Sequence, residues 1–237
     1  MKLEQRRHDG KTIWMIRPTR NVLQALERMH KPTADAERMC LLIGDPGMGK
    51  TCAGTFFAAQ HKDVCYIDLP PRAVMQAATS PIGLLEDALG ISASTRIVRE
   101  RLDRVVDELI ARPRMILLDT AHRLKYDHID VFRFVHDKAG IPVCILSVPA
   151  LSPMFDQHRE FGSRLALRIK LQPATRDEIV ALLDGYPEEV AAEIHRRTGG
   201  RIREVLQLRR LAELSTRSLD RLTPKQIQEL ADMYLAA

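Results

Sequence analysis

MCLLIGDPGMGKT, residues 39 to 51, decides the fold. Its first half is a short apolar run that reads as a buried strand over 39–45. GDPGMGKT, residues 44–51, matches G-x-x-x-x-G-K-[ST], and a helical pattern follows it. Gly44, Gly47 and Gly49 let the backbone curl so that its N–H groups face phosphate oxygens, with a helix N-terminus behind them. Lys50 would reach the β- and γ-phosphates, and Thr51 would place its hydroxyl on Mg²⁺. A glycine-rich turn with an accidental lysine is the competing reading, and strand, loop and helix in register argue against it. The run Gly44, Asp45, Pro46, Gly47, Met48, Gly49, Lys50, Thr51 and Cys52 is therefore the expected cradle of a nucleoside triphosphate, taken as ATP with Mg²⁺.

Working outward, four more apolar runs read as strands: VCYIDL (64–69), RMILLDT (114–120), PVCILSV (142–148) and LALRIKL (165–171). Near-continuous apolar runs suit parallel strands covered on both faces. Amphipathic segments lie between them. NVLQALERMH is apolar at 22, 23, 25, 26 and 29, and IVRERLDRVVDELI at 97, 98, 102, 105, 106, 109 and 110. Strand alternating with helix predicts a doubly wound α/β sheet. After Leu171 the pattern changes to helices only: QPATRDEIVALLDG, PEEVAAEIHRRTGG, RIREVLQLRRLAELS and TPKQIQELADMYLA. Thr175 with Glu178 has capping-box form, and Gly185, Gly199 and Gly200 are candidate stops. The expected division is an N-terminal arm over 1–18, an α/β core over 19–172 and a small helical lid over 173–237.

The bulk numbers set limits. The 237 residues carry 36 Lys and Arg against 31 acids, a net charge of +5. That permits nucleic acid without demonstrating it. From Glu193 to Arg221 eight arginines face four acids, which reads equally as a solvated helix face or a phosphate-facing one. No apolar stretch approaches the roughly 20 residues needed to span a bilayer. The start, MKLEQRRHDGK, lacks the apolar core of a secretory signal. Cys40, Cys52, Cys65 and Cys144 lack CxxC or His/Cys ligand spacing. Buried thiols in a reducing cytoplasm, with no membrane partner, are the expectation.

Asp119 ends RMILLDT, where a carboxylate can hold the magnesium shell through water. Thr120 follows it where nucleotide hydrolysis normally wants a glutamate, and a hydroxyl cannot accept a proton as a carboxylate does. Glu100, Glu108 and His122 are candidates for positioning water instead.

With phosphate loop, Asp119 strand and helical tail in this order, the chain resembles the AAA+ ATPases. Within them it is most similar to the transposition helper ATPases related to the phage Mu B protein and the target-selecting ATPases of other transposons. The likeness is carried by DTAHRLKYDHIDVFRFVHDKAGIPVCILSVPALSPMFDQHREFGSRLALRIKLQPAT, residues 119–175, and it covers roughly 20 to 215. It implies a P-loop AAA+ core with a five-stranded parallel sheet, followed by a small all-helical lid. It also implies Ser147 as the residue sensing the γ-phosphate, Arg164 as an arginine finger reaching a neighbouring subunit, and Arg203 as the second sensor arginine, with Arg201 as its competitor. Two departures stand out: Thr120 for the usual glutamate, which predicts slow hydrolysis, and Ser147-Val148-Pro149 where relatives often have a glycine-containing turn.

The resemblance implies an ATP-dependent regulator of DNA transposition that oligomerises into a ring or filament on double-stranded DNA and recruits a transposase. Arg72, Arg96, Arg99 and Lys125 are the candidate DNA contacts, against the plainer reading of solvated side chains. The alternatives are a replication or helicase loader-type motor and a nucleotide-dependent scaffold without DNA.

Overall fold

The computed structural model describes residues 3–31, 38–71, 80–92, 95–216 and 218–235. They fall into two compact units. One comprises Val22–Gly44 and Ala53–Lys170, and the other Met1–Asn21, Asp45–Cys52 and Leu171–Ala237.

The first unit is built on a five-stranded parallel sheet. Its strands are β3 (Met39–Ile43), β4 (Val64–Asp68), β5 (Met115–Asp119), β6 (Val143–Ser147) and β7 (Leu165–Lys170). The order across the sheet is β4-β5-β6-β3-β7, so β3 lies between two strands that come later in the chain. Every residue of β3, β5 and β6 is buried, as their unbroken apolar runs require. The edge strand β7 instead alternates, with Leu165, Leu167 and Ile169 part-buried and Ala166, Arg168 and Lys170 exposed. Its sequence LALRIKL already shows that period of two, which marks one covered face.

Helix α1 (Arg17–His30) presents Val22, Leu23, Ala25, Leu26 and Met29 to the interior, all five of the expected positions. Helix α2 (Lys50–Gln60) follows the glycine loop, and α3 (Pro81–Leu89) and α4 (Val98–Ala111) lead to β5. In α4 the expected apolar set divides. Val105, Val106 and Leu109 are buried, whereas Ile97, Val98 and Ile110 are more than half exposed. Ile97 is the N-cap and Val98 opens the helix, ahead of the turns that face the core. The carboxylate of Glu86, 2% exposed, is held by Arg101 between α3 and α4. That guanidinium lowers the Glu86 pKa against the cost of burial. Helix α5 (Tyr126–Ala139), the short α6 (Ser152–Gln157) and α7 (Arg159–Gly162) complete the unit.

The second unit gathers the last four helices, α8 (Arg176–Leu182), α9 (Glu188–Thr198), α10 (Ile202–Ser215) and α11 (Pro224–Tyr234), around Ile179, Val190, Ile194, Val205, Leu208 and Ile227. The expected capping box opens α8: the Thr175 hydroxyl accepts from the Glu178 amide at 3.2 Å, and Glu178 accepts from the Thr175 amide at 3.0 Å. Glu178 is buried and has a further task. It also accepts from the Arg17 amide at 2.7 Å and from the Arg20 guanidinium.

The segment expected as an N-terminal arm, 1–18, carries regular structure among its described residues. β1 (Gln5–His8) and β2 (Lys11–Trp14) form an antiparallel hairpin, and Leu3 and Ile16 join the core of the helical unit. The hairpin turns at Asp9 and Gly10, both at positive φ (50° and 71°), the geometry of a two-residue primed turn. Cys40, Cys65 and Cys144 are buried as expected, but Cys52 in the first turn of α2 is exposed. Among the described residues, no helix is long and apolar enough to cross a membrane.

Candidate functional site

Two sets of residues carry the candidate chemistry, one in each unit. In the helical unit the loop after Gly44 is shaped by its glycines. Gly47 and Gly49 adopt φ of +85° and +82°, the region open to glycine without the Cβ penalty. Gly47 is close-packed too: a Cβ there would lie 2.8 Å from the Cβ of Arg203. The Arg203 amide donates to the Gly47 carbonyl at 3.1 Å, so the start of α10 is stitched to the back of the loop. Met48 is buried beneath it, its sulfur accepting from the Asp45 amide at 3.1 Å. The Lys50 ammonium donates to the Asp45 carbonyl at 2.9 Å, folding back along its own loop. Asp45, Pro46, Thr51 and Cys52 are exposed, and Thr51 lies in the first turn of α2.

Arg201 and Arg203, the two candidate sensor arginines, differ in their local partners. Arg201 forms a two-point pair with Glu204, at 2.5 and 2.8 Å. The guanidinium of Arg203 is exposed and has no hydrogen-bond or ion-pair partner among the described residues. Its backbone touches the loop while its charge is uncommitted.

In the α/β unit the parallel strands all end on one edge, where open α/β sheets bind ligands. β3 ends there at Ile43, paired in register with Ser147, and the Gly44 amide donates to the Ser147 carbonyl at 3.1 Å. The Ser147 hydroxyl is buried and has no partner among the described residues. Such orphaned groups are few in native structures, and a ligand oxygen or water would satisfy it.

One strand further across is Asp119, 2% exposed. Its Oδ2 accepts from the Tyr66 hydroxyl at 2.8 Å and its Oδ1 from the Thr120 amide at 2.6 Å. This is a held, acceptor-only carboxylate, suited to a magnesium shell reached through water. Thr120 has φ 60° and ψ 28°, a left-handed conformation that costs a β-branched residue about 1–2 kcal/mol. Its hydroxyl donates to Asp68 Oδ1 at 3.0 Å, at the end of the neighbouring strand.

Neither Tyr66 nor Asp68 stood out in the sequence, although VCYID ends in an acid just as MILLD does. Of the three groups considered as substitutes for a glutamate at 120, Glu108 pairs with Arg112 and Arg114 at 3.5 and 3.7 Å. Arg114 immediately precedes β5, so Glu108 serves the opposite edge of the sheet, about 16 Å of strand away from Asp119. Glu100 is exposed in the first turn of α4, and His122 sits half-buried in the 3₁₀ turn Ala121–Arg123.

Arg164 lies between α7 and β7, with Nε donating to Asp137 Oδ1 at 2.6 Å and its guanidinium also bonding the Glu160 carbonyl at 2.5 Å. Asp137 is shared with Arg133, at 2.7 Å. Reaching a neighbouring chain therefore requires Arg164 to leave Asp137, which would keep one arginine partner.

Four of the arginines between Glu193 and Arg221 form local ion pairs, and the stretch keeps its net positive charge. Glu193 pairs with Arg196 and Arg197, Glu204 with Arg201, and Glu213 with Arg209, while Asp232 also takes Arg197. Of the candidate DNA contacts, Arg96 and Lys125 are exposed, and Arg99 is paired with Asp103 at 3.1 Å. Arg72 lies outside the described residues.

The glycine cradle and the unpartnered Ser147 hydroxyl both suit a triphosphate, and the held Asp119 carboxylate suits its Mg²⁺. Comparison with known proteins agrees on the fold. Among curated protein sequences none matches. Of solved structures, the Cdc6p protein of Pyrobaculum aerophilum is similar with a TM-score of 0.63 at 21% identity, covering 83% of this chain and 61% of that one. The Aeropyrum pernix ORC1 protein, solved in complex with DNA, gives 0.60 at 16% identity over 92% of this chain and 64% of that one. The Aeropyrum pernix ORC2 protein, solved as ADPNP-ADP complexes, gives 0.58 at 16% identity over 90% and 66%. The chain thus spans a little under two thirds of the length of these proteins, and at such identities the likeness is one of fold. A family profile described as an AAA domain matches residues 33–155, just over half the sequence. That span includes the glycine loop, Asp119 and Ser147, and the chain belongs to the AAA ATPase domain family.

Proposed function

We propose that this chain is an ATP-dependent switch that assembles on double-stranded DNA while ATP is held, and regulates DNA transposition by recruiting or activating a transposase. The end of β5 carries the reading: Asp119 is present and fixed by two hydrogen bonds, while the next residue is a strained threonine with no carboxylate. An ATPase so arranged holds its nucleotide longer than it would with a glutamate there.

In this reading the loop amides and Lys50 hold the phosphates, and Thr51 and Asp119 hold Mg²⁺, which draws negative charge off the phosphoryl oxygens. Ser147 and Arg203 report whether the γ-phosphate is present. Arg164 serves a neighbouring copy, so that nucleotide links assembly to DNA. Assembly then sums modest basic surfaces such as Arg96 and Lys125 into a salt-sensitive track. The transposition role rests on the likeness of residues 119–175 to the helper ATPases.

A loader-type motor is the second reading, favoured by the fold shared with Cdc6p and ORC proteins. Fluorescence anisotropy with duplex DNA tests both. The expected result is binding with ATP, little with ADP or without nucleotide, and steep weakening as salt rises. No binding in any state would overturn the DNA reading in favour of a scaffold. Brisk multiple turnover on DNA would favour the motor.

The placement of Arg164 makes a separate prediction. Arg164→Ala should leave the ATP affinity of the single chain unchanged and reduce ATP-driven assembly, read by sedimentation velocity. Unchanged assembly would assign this arginine to its Asp137 and Glu160 contacts alone.

A further inference from the structure

β4 and β5 are paired in register so that Asp68 and Asp119 end the two strands side by side. The two acids are not equivalent. Asp119 is buried with both oxygens occupied, by the Tyr66 hydroxyl and the Thr120 amide. Asp68 is exposed, and only its Oδ1 is engaged, by the Thr120 hydroxyl at 3.0 Å. Its Oδ2 has no donor among the described residues. The residue that lacks a carboxylate therefore spends its hydroxyl on orienting the carboxylate next door. Its left-handed backbone turns it toward that partner, at the C-terminal end of the paired strands.

We infer that Asp68 is the proton acceptor for ATP hydrolysis, with Thr120 as its positioning residue: acid and hydroxyl have exchanged the places at which the sequence pattern looks for them. This rests on the reading that the chain binds ATP with its γ-phosphate at this edge. In the step, the oxygen of a water bonds to the γ-phosphorus while one water proton passes to Asp68 Oδ2. The bond from that phosphorus to the bridging oxygen breaks, and its electron pair leaves with ADP. The proton then goes on to the released phosphate or to solvent, which returns Asp68 to the ionised state. Thr120 cannot serve in its place, since a neutral hydroxyl oxygen accepts hydrogen bonds but is far too weak a base to take a proton from water. An aspartate is one methylene shorter than a glutamate and sits one strand away from the usual position, which fits slow turnover without abolishing it.

The plainer account makes the Asp68–Thr120 bond a tie between strand ends. Asp68→Asn separates the two, because the amide oxygen still accepts from the Thr120 hydroxyl and only the proton acceptor is lost. The expected result is a fall in single-turnover rate of at least about 100-fold, the lower end of what a general base contributes. The acid limb of the rate–pH profile should vanish with it. Equilibrium binding of a fluorescent ATP analogue supplies a readout independent of turnover. ATP should bind tighter relative to ADP in Asp68→Asn, because a negative charge facing the γ-phosphate has gone, and the melting temperature should stay the same. Adding Thr120→Glu to Asp68→Asn should restore turnover from the other strand.

Native turnover in Asp68→Asn, with an unchanged ATP-to-ADP affinity ratio, would overturn the inference and leave the ATP site standing. Native protein that binds ATP and never hydrolyses it would overturn it as well. Failure of the native protein to bind ATP at all would instead bring down the reading on which it rests.

Discussion

Lys50→Ala should lose ATP binding by at least about 100-fold, measured by equilibrium titration with a fluorescent ATP analogue. A lysine reaching both β- and γ-phosphates makes charge-assisted hydrogen bonds worth about 1.5–3 kcal/mol each, and each 1.4 kcal/mol is tenfold in affinity. The structure adds a reason for the loss to be local. Lys50 folds back onto the Asp45 carbonyl at 2.9 Å, so the ammonium has an intraloop partner to give up when it meets phosphate. Removing it deletes the exposed contact to the Asp45 carbonyl and touches neither the glycine conformations, the buried Met48 nor the Arg203–Gly47 hydrogen bond. Lys50→Arg is the informative companion. A planar fork does not replace a compact ammonium in a narrow cradle, so charge alone should not restore affinity. If Lys50→Ala retains native ATP affinity, loop 44–52 is not the nucleotide site.

Much of this was legible because burial leaves plain marks on sequence. β3, β5 and β6 are covered on both faces, and MCLLI, MILLD and VCILS are apolar almost throughout. The glycine loop was legible because its chemistry needs fixed spacing. Thr175 and Glu178 were legible as a cap for the same reason, and the structure adds that Glu178 also anchors Arg17 and Arg20. That second task joins residues 161 and 158 positions apart, a separation no local pattern carries.

The missed Asp68–Thr120 pair has this cause. Asp68 and Thr120 are 52 positions apart and meet only because β4 pairs with β5. A strand-end acid is visible in VCYID, but which strand lies beside it is a property of topology. The N-terminal hairpin is different, since Asp9-Gly10 is a turn signal in plain view. Its strands QRRH and KTIW are short and mostly polar, so residues 1–18 read as an arm and not as paired strands. The ion pairs within the basic stretch after Glu193 are local and could be read from spacing. They sit at helical spacings of three and four, as in Arg201–Glu204 and Arg209–Glu213, where neighbours on one face cancel.

Gly200→Ala should destabilise the helical unit by about 3 kcal/mol or more, and Gly199→Ala by much less, though both glycines have positive φ (+76° and +57°). At Gly199 an added Cβ meets nothing within 4 Å, so only the backbone penalty applies, about 1–2 kcal/mol. At Gly200 the same atom would overlap the carbonyl oxygen of Ala174. That oxygen cannot easily retreat: His195 Nε2 lies 3.2 Å from it, and the Ala174 amide donates to the Gly200 carbonyl at 3.2 Å. Ala174 itself is buried and directly precedes the Thr175 cap, so movement there would loosen the start of α8. Thermal unfolding checks the order, with a fall in Tm of about 10 °C for Gly200→Ala, given about 2–4 °C per kcal/mol in a chain of this size. The effect should reach the nucleotide too. Gly200 leads directly into Arg201 and α10, whose Arg203 amide bonds the Gly47 carbonyl, so displacing that junction pulls on the back of the phosphate loop. Gly200→Ala should therefore weaken ATP binding at temperatures where the protein is still folded, while Gly199→Ala leaves it intact. Equal effects of the two substitutions on Tm and affinity would mean that backbone conformation alone, and not the approach of Ala174, decides why glycine stands at position 200.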